Sequence, residues 1–381
     1  MSSQKKCLDL LIVEDDITVQ DVYKQRIEYF NQYGESNIEI NLTIESDKDN
    51  ALNLLSNTNR IFDGAIVDLD LKNSGGNDSS GNEVIREIKQ NLRFPIFVIS
   101  GTTHNLDSDL HGDTAFFKVR KRDDDEFDFC EEFVNIYNTG ITNILNRKGM
   151  IEQHINKIFW NHLSNSMDLW IGDTKRTPEQ KQNTLLRFFL LHVQEYLELT
   201  TESDFEKYHA AEFYITPPIK GKVYTGDVII EKGTEKRYIV LTPSCDLAQS
   251  KAKEVLLAEI ESKDKDGILK NFINIIHKDD KIDSLYLNAE ADLKKIISNS
   301  YSNKYHYLPK YQDICDGLIN FQKLKTVKNK DFCEGTLLFE RIASVNSSFT
   351  KDIVARFSYY YSRQGSPDFD VDEIYESLID K

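Results

Sequence analysis

The chain is predicted to fold as an α/β unit followed by an α+β unit, and three observations predict it. The apolar run Leu10-Leu11-Ile12-Val13 stops abruptly at three carboxylates, Glu14, Asp15 and Asp16, as a buried parallel strand does when it reaches a solvent-facing sheet edge. Strand-like and helix-like stretches then alternate as far as about residue 145, the pattern of a doubly wound parallel sheet. From about Ala211 the pattern changes to short apolar runs separated by Pro217-Pro218, Gly221 and Gly233, which suggests a small antiparallel barrel, SH3-like in size.

Taken in order, the first half has three further runs that end in chemically competent residues. Ala65-Ile66-Val67 stops at Asp68, Ile96-Phe97-Val98-Ile99 at Ser100, and Ala115-Phe116-Phe117 at Lys118. Helical stretches lie between them over Val19–Tyr29, Asp49–Leu55 and Asn82–Lys89. Right-handed crossovers bring such strand ends to one edge of the sheet, where open α/β folds place their ligands. Carboxylates crowded there repel one another unless a cation sits among them, and oxygen-only donors suit a hard ion such as Mg²⁺. Asp68 is then a nucleophile towards phosphorus. Mg²⁺ on Glu14, Asp15 and Asp68 would neutralise the phosphoryl oxygens, and the Ser100 hydroxyl and Lys118 ammonium would bind the rest.

These residues resemble the receiver domain of two-component response regulators, over residues 8 to about 145. The resemblance implies a five-stranded (βα)5 fold, with Glu14 and Asp15 as the acid pair and Asp68 as phospho-acceptor. It makes Ser100 the switch hydroxyl, Lys118 the phosphate-contacting lysine, and the backbone carbonyl of Asp70 a further Mg²⁺ ligand. Asp63 fits the aspartate often found five residues before the acceptor, and Gly81 the glycine that opens the third helix. Three positions depart from the pattern. The loop from Leu71 to Gly81 is long and lacks proline, Val119 stands where a proline usually follows the lysine, and Ala115 stands at the aromatic position, with Phe116 beside it.

Beyond Lys118, Arg120–Asp128 reads as a solvated charge run and Phe127–Leu145 as the last receiver helix. Ile151, Ile155, Ile158, Phe159 and Leu163 recur at helical spacing. Thr177-Pro178-Glu179-Gln180 reads as a capping box opening another helix, with Leu185, Leu186, Phe189, Leu190, Val193 and Leu197 on its apolar face. These helices read as a packed hairpin, or else, through Trp160 and Trp170, as a homodimer or partner interface. The domain boundaries that follow are 1–147 for the receiver, 148–205 for a helical connector and 206–381 for the C-terminal α+β domain.

In the C-terminal part, Gly226-Asp227-Val228-Ile229 followed by Tyr238-Ile239-Val240-Leu241-Thr242-Pro243-Ser244-Cys245-Asp246-Leu247 resembles uncharacterised bacterial domains, some joined to receivers in phage-defence loci. That resemblance implies a GHKL-type ATPase as donor or partner, the alternative being a histidine kinase, and a further protein partner is expected for the C-terminal domain. Cys245 has three readings: a buried structural cysteine, a nucleophile served by His306, or a zinc ligand with His306, Cys315 and Cys333, although the paired short spacing of zinc sites is absent. The structural reading is the ordinary one for a free cysteine. Phe349–Tyr361 reads as a final helix, with Arg356 and Arg363 either solvated or contacting a partner or a phosphate.

The chain has 381 residues, 63 acidic and 47 basic, for a net charge of −16. Its first 150 residues hold 27 acids and 16 bases. Such a surface opposes DNA binding, which depends on cations that neutralise phosphates, so a DNA-binding output is not expected. No run is long and apolar enough for a membrane span, and the N-terminus lacks a signal-peptide core. Five irregularly spaced cysteines do not suggest a disulfide framework, so a cytoplasmic location is expected. The leading expectation is phosphorelay signalling through Asp68 to a C-terminal interaction domain, with no enzymatic activity beyond the receiver's own. The alternatives are a receiver-regulated enzyme using Cys245 and His306, and a scaffold whose receiver is never phosphorylated.

Overall fold

The computed structural model describes residues 5–71, 80–197, 207–278, 284–332, 338–363 and 368–379. The chain divides into two compact units, Met1–Asp204 and Phe205–Lys381.

In the first unit the elements follow as β1 (Lys6–Val13), α1 (Ile17–Tyr33), β2 (Ile38–Glu45), α2 (Lys48–Ser56), β3 (Gly64–Val67), α3 (Ser80–Asn91), β4 (Ile96–Ser100), β5 (Phe117–Lys121) and α4 (Phe129–Asn138). The five strands pair in parallel in the order β2-β1-β3-β4-β5, so the predicted doubly wound sheet is present. Alternation along β1 explains its two faces. Leu8, Leu10 and Ile12 pack with Tyr23 and Ile27 of α1 and with Phe129 and Phe133 of α4. Leu11 and Val13 pack with Ala51 and Leu55 of α2 and with Val84, Ile85 and Ile88 of α3. Carboxylates cap three of the helices: Asp16 accepts from Thr18 N–H, Asp47 from Asn50 N–H and Asp128 from Cys130 N–H.

The fourth crossover differs from a (βα)5 pattern. Between β4 and β5 the backbone makes two short 3₁₀ turns, Thr103–Asn105 and Ser108–Leu110, in place of an α-helix. The segment is rich in Asp, Asn, Ser and Gly, which bond to their own backbone rather than propagate a helix. Arg86 holds it down through Asp107 and Asp109, and Asn82 bonds Asn105 O and Asp107 N.

The expected last receiver helix is broken at Gly140, which takes a left-handed backbone (φ 78°) between α4 and the short α5 (Ile141–Leu145). Then come α6 (Met150–Ile158), which runs into a π-helical turn over Phe159–Leu163, α7 (Met167–Ile171) and α8 (Pro178–Leu197). The capping box of α8 is formed as predicted: Gln180 N–H donates to Thr177 Oγ1, and Thr177 N–H to Gln180 Oε1.

The second unit contains β6 (Tyr214–Ile215), β7 (Asp227–Glu231), β8 (Arg237–Val240), α9 (Ser244–Ala248), β9 (Glu254–Ser262), α10 (Ile268–Lys278), α11 (Ser284–Ile297), β10 (Tyr305–Leu308), β11 (Gly317–Lys328), β12 (Phe339–Val345), α12 (Ser347–Ser362) and α13 (Val371–Ile379). Its strands form one antiparallel sheet in the order β10-β11-β9-β8-β7-β12-β6. Register shifts within β11 and β12 let the sheet curl. The curl brings its two edges together, where the Tyr214 hydroxyl on β6 donates to Pro309 O just beyond β10. The expected small barrel is therefore a larger curled sheet whose edges are joined by a side chain rather than by a closed ladder. Ile353 and Phe357 of α12 cover one face, and Leu247 of α9 fills the other.

Candidate functional site

The carboxyl edge of the parallel sheet holds the predicted acids. Glu14 and Asp15 follow β1 and Asp68 follows β3, and a carboxylate oxygen from each lies within 4.8 Å of the others. The third acid of the run, Asp16, is used differently. It caps α1, and its N–H donates to Glu14 Oε1 at 3.1 Å. Glu14 and Asp68 are almost wholly buried, at 1% and 3% exposure. Burial, followed by the nearby charge of Asp68, pushes the Glu14 carboxyl up to about 7. Burial also raises Asp68, against the lowering influence of the Ser100 hydroxyl and Arg122. Asp68 Oδ1 is buried with no hydrogen-bond partner, a costly arrangement that buried polar atoms rarely keep without a ligand.

The loop after β3 is braced from β4. Thr102 Oγ1 donates to Asp70 Oδ2 and Asn105 Nδ2 to Asp70 Oδ1, and Thr102 N–H donates to Ser100 Oγ at 3.2 Å. Gly81, at the start of α3, lies against this loop. A Cβ there would overlap the Asp68 carbonyl oxygen and crowd Leu69 Cα, so only glycine permits the close approach. Residues 72–79, most of the long loop singled out in the sequence, lie outside the described residues.

The basic residue in the pocket is Arg122, not Lys118. Strand β5 runs to Lys121, which pairs with Ser100, whereas Lys118 pairs with Phe97 three residues earlier. The Lys118 ammonium is bonded to Glu132 at 2.8 Å and lies over the rings of Phe97 and Phe127. Arg122 N–H continues the ladder by donating to Ser100 O. Its guanidinium Nη2 is 2.8 Å from Glu14 Oε2 and 3.1 Å from Asp68 Oδ2. Burial works against its charge, but Glu14 and Asp68 outweigh burial and hold it protonated. Arg120–Arg122 is thus strand and site rather than solvated loop. Counted from Arg122, the aromatic and proline positions fall on Val119 and Asp123, so neither residue type is recovered. The signal that marks Arg122 is the acid run Asp123-Asp124-Asp125, which shows where the strand must end.

Asp63 lies at the opposite end of β3. Its carboxylate accepts from Asp9 N–H and its own N–H donates to Asp9 O, so it links β1 to β3 rather than lining the pocket.

Oxygen donors from Glu14, Asp15 and Asp68, with an unpartnered buried oxygen among them, fit a small hard cation such as Mg²⁺. Among the described residues no other group of three or more metal-ligating side chains comes together.

The second unit does not bring Cys245 and His306 together. Cys245 is exposed, contrary to the buried-cysteine expectation, and its Sγ lies 3.7 Å from Asp246 Oδ1. His306 is buried on β10, with Nδ1 donating to Tyr307 O and Nε2 3.1 Å from Asp352 Oδ2. Strands β11 and β9 separate β10 from β8, which leads to Cys245, and three strand spacings amount to roughly 14 Å. A thiolate served by this imidazole is therefore not built, and Cys333 lies outside the described residues.

The Gly226–Asp227 pattern has a structural role. Gly226 takes φ 86° and packs against Thr350. The buried Asp227 carboxylate accepts from Ser344 Oγ, Tyr224 N–H and Arg341. Arg356 is bonded to Asp352 and Asn299 O, and Arg363 is exposed and lies over the Tyr360 ring.

No described helix is long and apolar enough to cross a membrane. No family model matches the chain, and no curated protein matches it. Among solved structures, it is similar to the N-terminal domain of a response regulator/sensory box/GGDEF three-domain protein from Carboxydothermus hydrogenoformans. That match has 17% identity and a TM-score of 0.25, and covers 35% of this chain and 98% of that one. It is also similar to the phosphorylated cyanobacterial phytochrome response regulator RcpA, at 19% identity and a TM-score of 0.24, covering 35% of this chain and 91% of that one.

Proposed function

We propose that the parallel-sheet part of the first unit is a phospho-accepting receiver whose acceptor is Asp68. The observation that carries this reading is the free oxygen of Asp68. It is a buried carboxylate atom without a partner, at the end of the central strand, ringed by Glu14, Asp15, Ser100 and Arg122. A lone pair on that oxygen forms the new O–P bond while the bond from phosphorus to the donor breaks, and the electron pair leaves with the donor. Glu14, Asp15, Asp68 and the backbone carbonyl of Asp70 would hold Mg²⁺, which when bound neutralises charge on the phosphoryl oxygens. Arg122 stands where Lys118 was expected, and a guanidinium can donate to two phosphoryl oxygens at once when the added phosphate supplies the negative charge that draws it back beside the ion. Ser100 supplies a hydroxyl beside the new phosphate.

The donor is a histidine kinase or a GHKL-type ATPase, and the output is a protein contact made through the second unit. What supports a protein output over a DNA output is the acidic balance of the chain. A setting in bacterial antiphage defence is supported by the sequence pattern of residues 226–247 alone. The test is intact mass after incubation with Mg²⁺ and acetyl phosphate. One phosphoryl group is expected on the wild type and none on Asp68→Ala. An unmodified wild type, with acetyl phosphate and with a cognate kinase alike, would leave the scaffold reading, which the Arg122 guanidinium already neutralising the pocket favours.

A further inference from the structure

We infer that Arg122 is the resident cation of the acid pocket, and that a divalent ion enters only as its guanidinium swings aside into an adjoining cavity. The inference rests on the metal reading of this same site. One guanidinium nitrogen bridges Glu14 and Asp68, two of the three carboxylates that would ligate the ion. A divalent ion among these carboxylates would lie close to a guanidinium nitrogen held 2.8 and 3.1 Å from two of their oxygens, and the repulsion between the two cations favours moving the side chain that is free to move.

The space for the displaced side chain is present. A cavity beside the pocket, apolar in part, has Thr18, Tyr23, Arg26, Lys121, Asp124 and Arg122 itself among its lining residues. Two of these would receive a guanidinium. Asp124 supplies a carboxylate, and the Tyr23 hydroxyl is buried with no hydrogen-bond partner. Arg26 is already committed to Phe127 O and to the Phe129 ring. The hinge is short, because the Arg122 backbone is fixed by its bond to Ser100 O and only side-chain torsions need change.

The experiment is Mn²⁺ binding, read by electron paramagnetic resonance of the free ion, on the full chain. Four proteins are compared: wild type, Arg122→Ala, Asp124→Asn and the double variant. Displacement predicts that Arg122→Ala binds Mn²⁺ at least about tenfold more tightly than wild type. It also predicts that Asp124→Asn weakens binding several-fold in the wild-type background and has no such effect once Arg122 is gone. A merely electrostatic Asp124 would act equally in both backgrounds, and that result overturns the inference, as does an Arg122→Ala protein that binds no more tightly. Arg122→Gln, uncharged and of similar length, repeats the comparison in case alanine disturbs the fold. If the wild type binds and the arginine variants gain nothing, the inference falls while the receiver reading stands. If no variant binds Mn²⁺, both the inference and the metal reading fall.

Discussion

Replacing Glu14 by glutamine tests the electrostatics of the acid pocket directly. The Glu14 carboxyl is raised from its ordinary 4.5 to about 7, by burial first and by Asp68 second. A carboxyl whose pKa is higher in the folded state binds its proton more tightly there. Its contribution to stability is therefore complete below the unfolded value and is lost as pH rises towards the folded value. A rise from 4.5 to about 7 corresponds to roughly 3 kcal/mol. The metal-free protein should thus lose about 3 kcal/mol of stability between mildly acid and mildly alkaline pH, and Glu14→Gln should lose little of it. Urea unfolding in EDTA at the two pH values, followed by tryptophan fluorescence, measures this, because both tryptophans, Trp160 and Trp170, lie in the first unit. Equal pH dependence in the two proteins would refute the argument, since it would mean that the burial and crowding of Glu14 do not govern its titration.

Three further outcomes follow from the packing. Gly81→Ala forces a methyl group onto the Asp68 carbonyl and should cost about 2 kcal/mol in the same urea assay while lowering phosphoryl uptake; unchanged uptake would show that the loop tolerates the shift. Asp227→Ala leaves Arg341 without its buried partner and should destabilise the second unit by about 3 kcal/mol, read by amide exchange in β7 and β12; an effect near zero would show that water replaces the carboxylate. Burial lowers the His306 pKa, with Asp352 opposing it, so the neutral ring favours the fold. Stability from this group is complete above its ordinary 6.5 and is lost as pH falls through the lowered folded value. Protection of β10 and β11 amides, corrected for intrinsic exchange, should fall on acidification, and a flat profile matching His306→Gln would exclude the effect.

Much of the first unit was legible because its information is local. Each strand of a parallel sheet buried on both faces is a continuous apolar run, and the residue where the run stops faces the sheet edge. Glu14, Asp15, Asp68 and Ser100 could therefore be placed from order along the chain. The capping box at Thr177 and Gln180 was equally local, four residues with reciprocal bonds. Strand β5 was not legible in the same way. Its apolar part, Ala115-Phe116-Phe117, ends before most of the strand begins, and Lys118, Arg120, Lys121 and Arg122 offer four cations in five positions. Which of them reaches the edge depends on hydrogen bonds to β4, partners that lie some twenty residues back in the chain.

The same division runs through the rest of the protein. The sequence by itself determined the fold class of the first unit and the placing of Glu14, Asp15, Asp68 and Ser100 at strand ends, because strand ends and caps are read from neighbouring residues. Only the tertiary structure decided that Arg122 replaces Lys118 at the pocket. Only the sheet order decided that Cys245 and His306 lie apart. Only the curl of the second sheet decided that Tyr214 joins its two edges. Each of these depends on which distant strand supplies the hydrogen-bonding partner, and periodicity along a single chain does not carry that information.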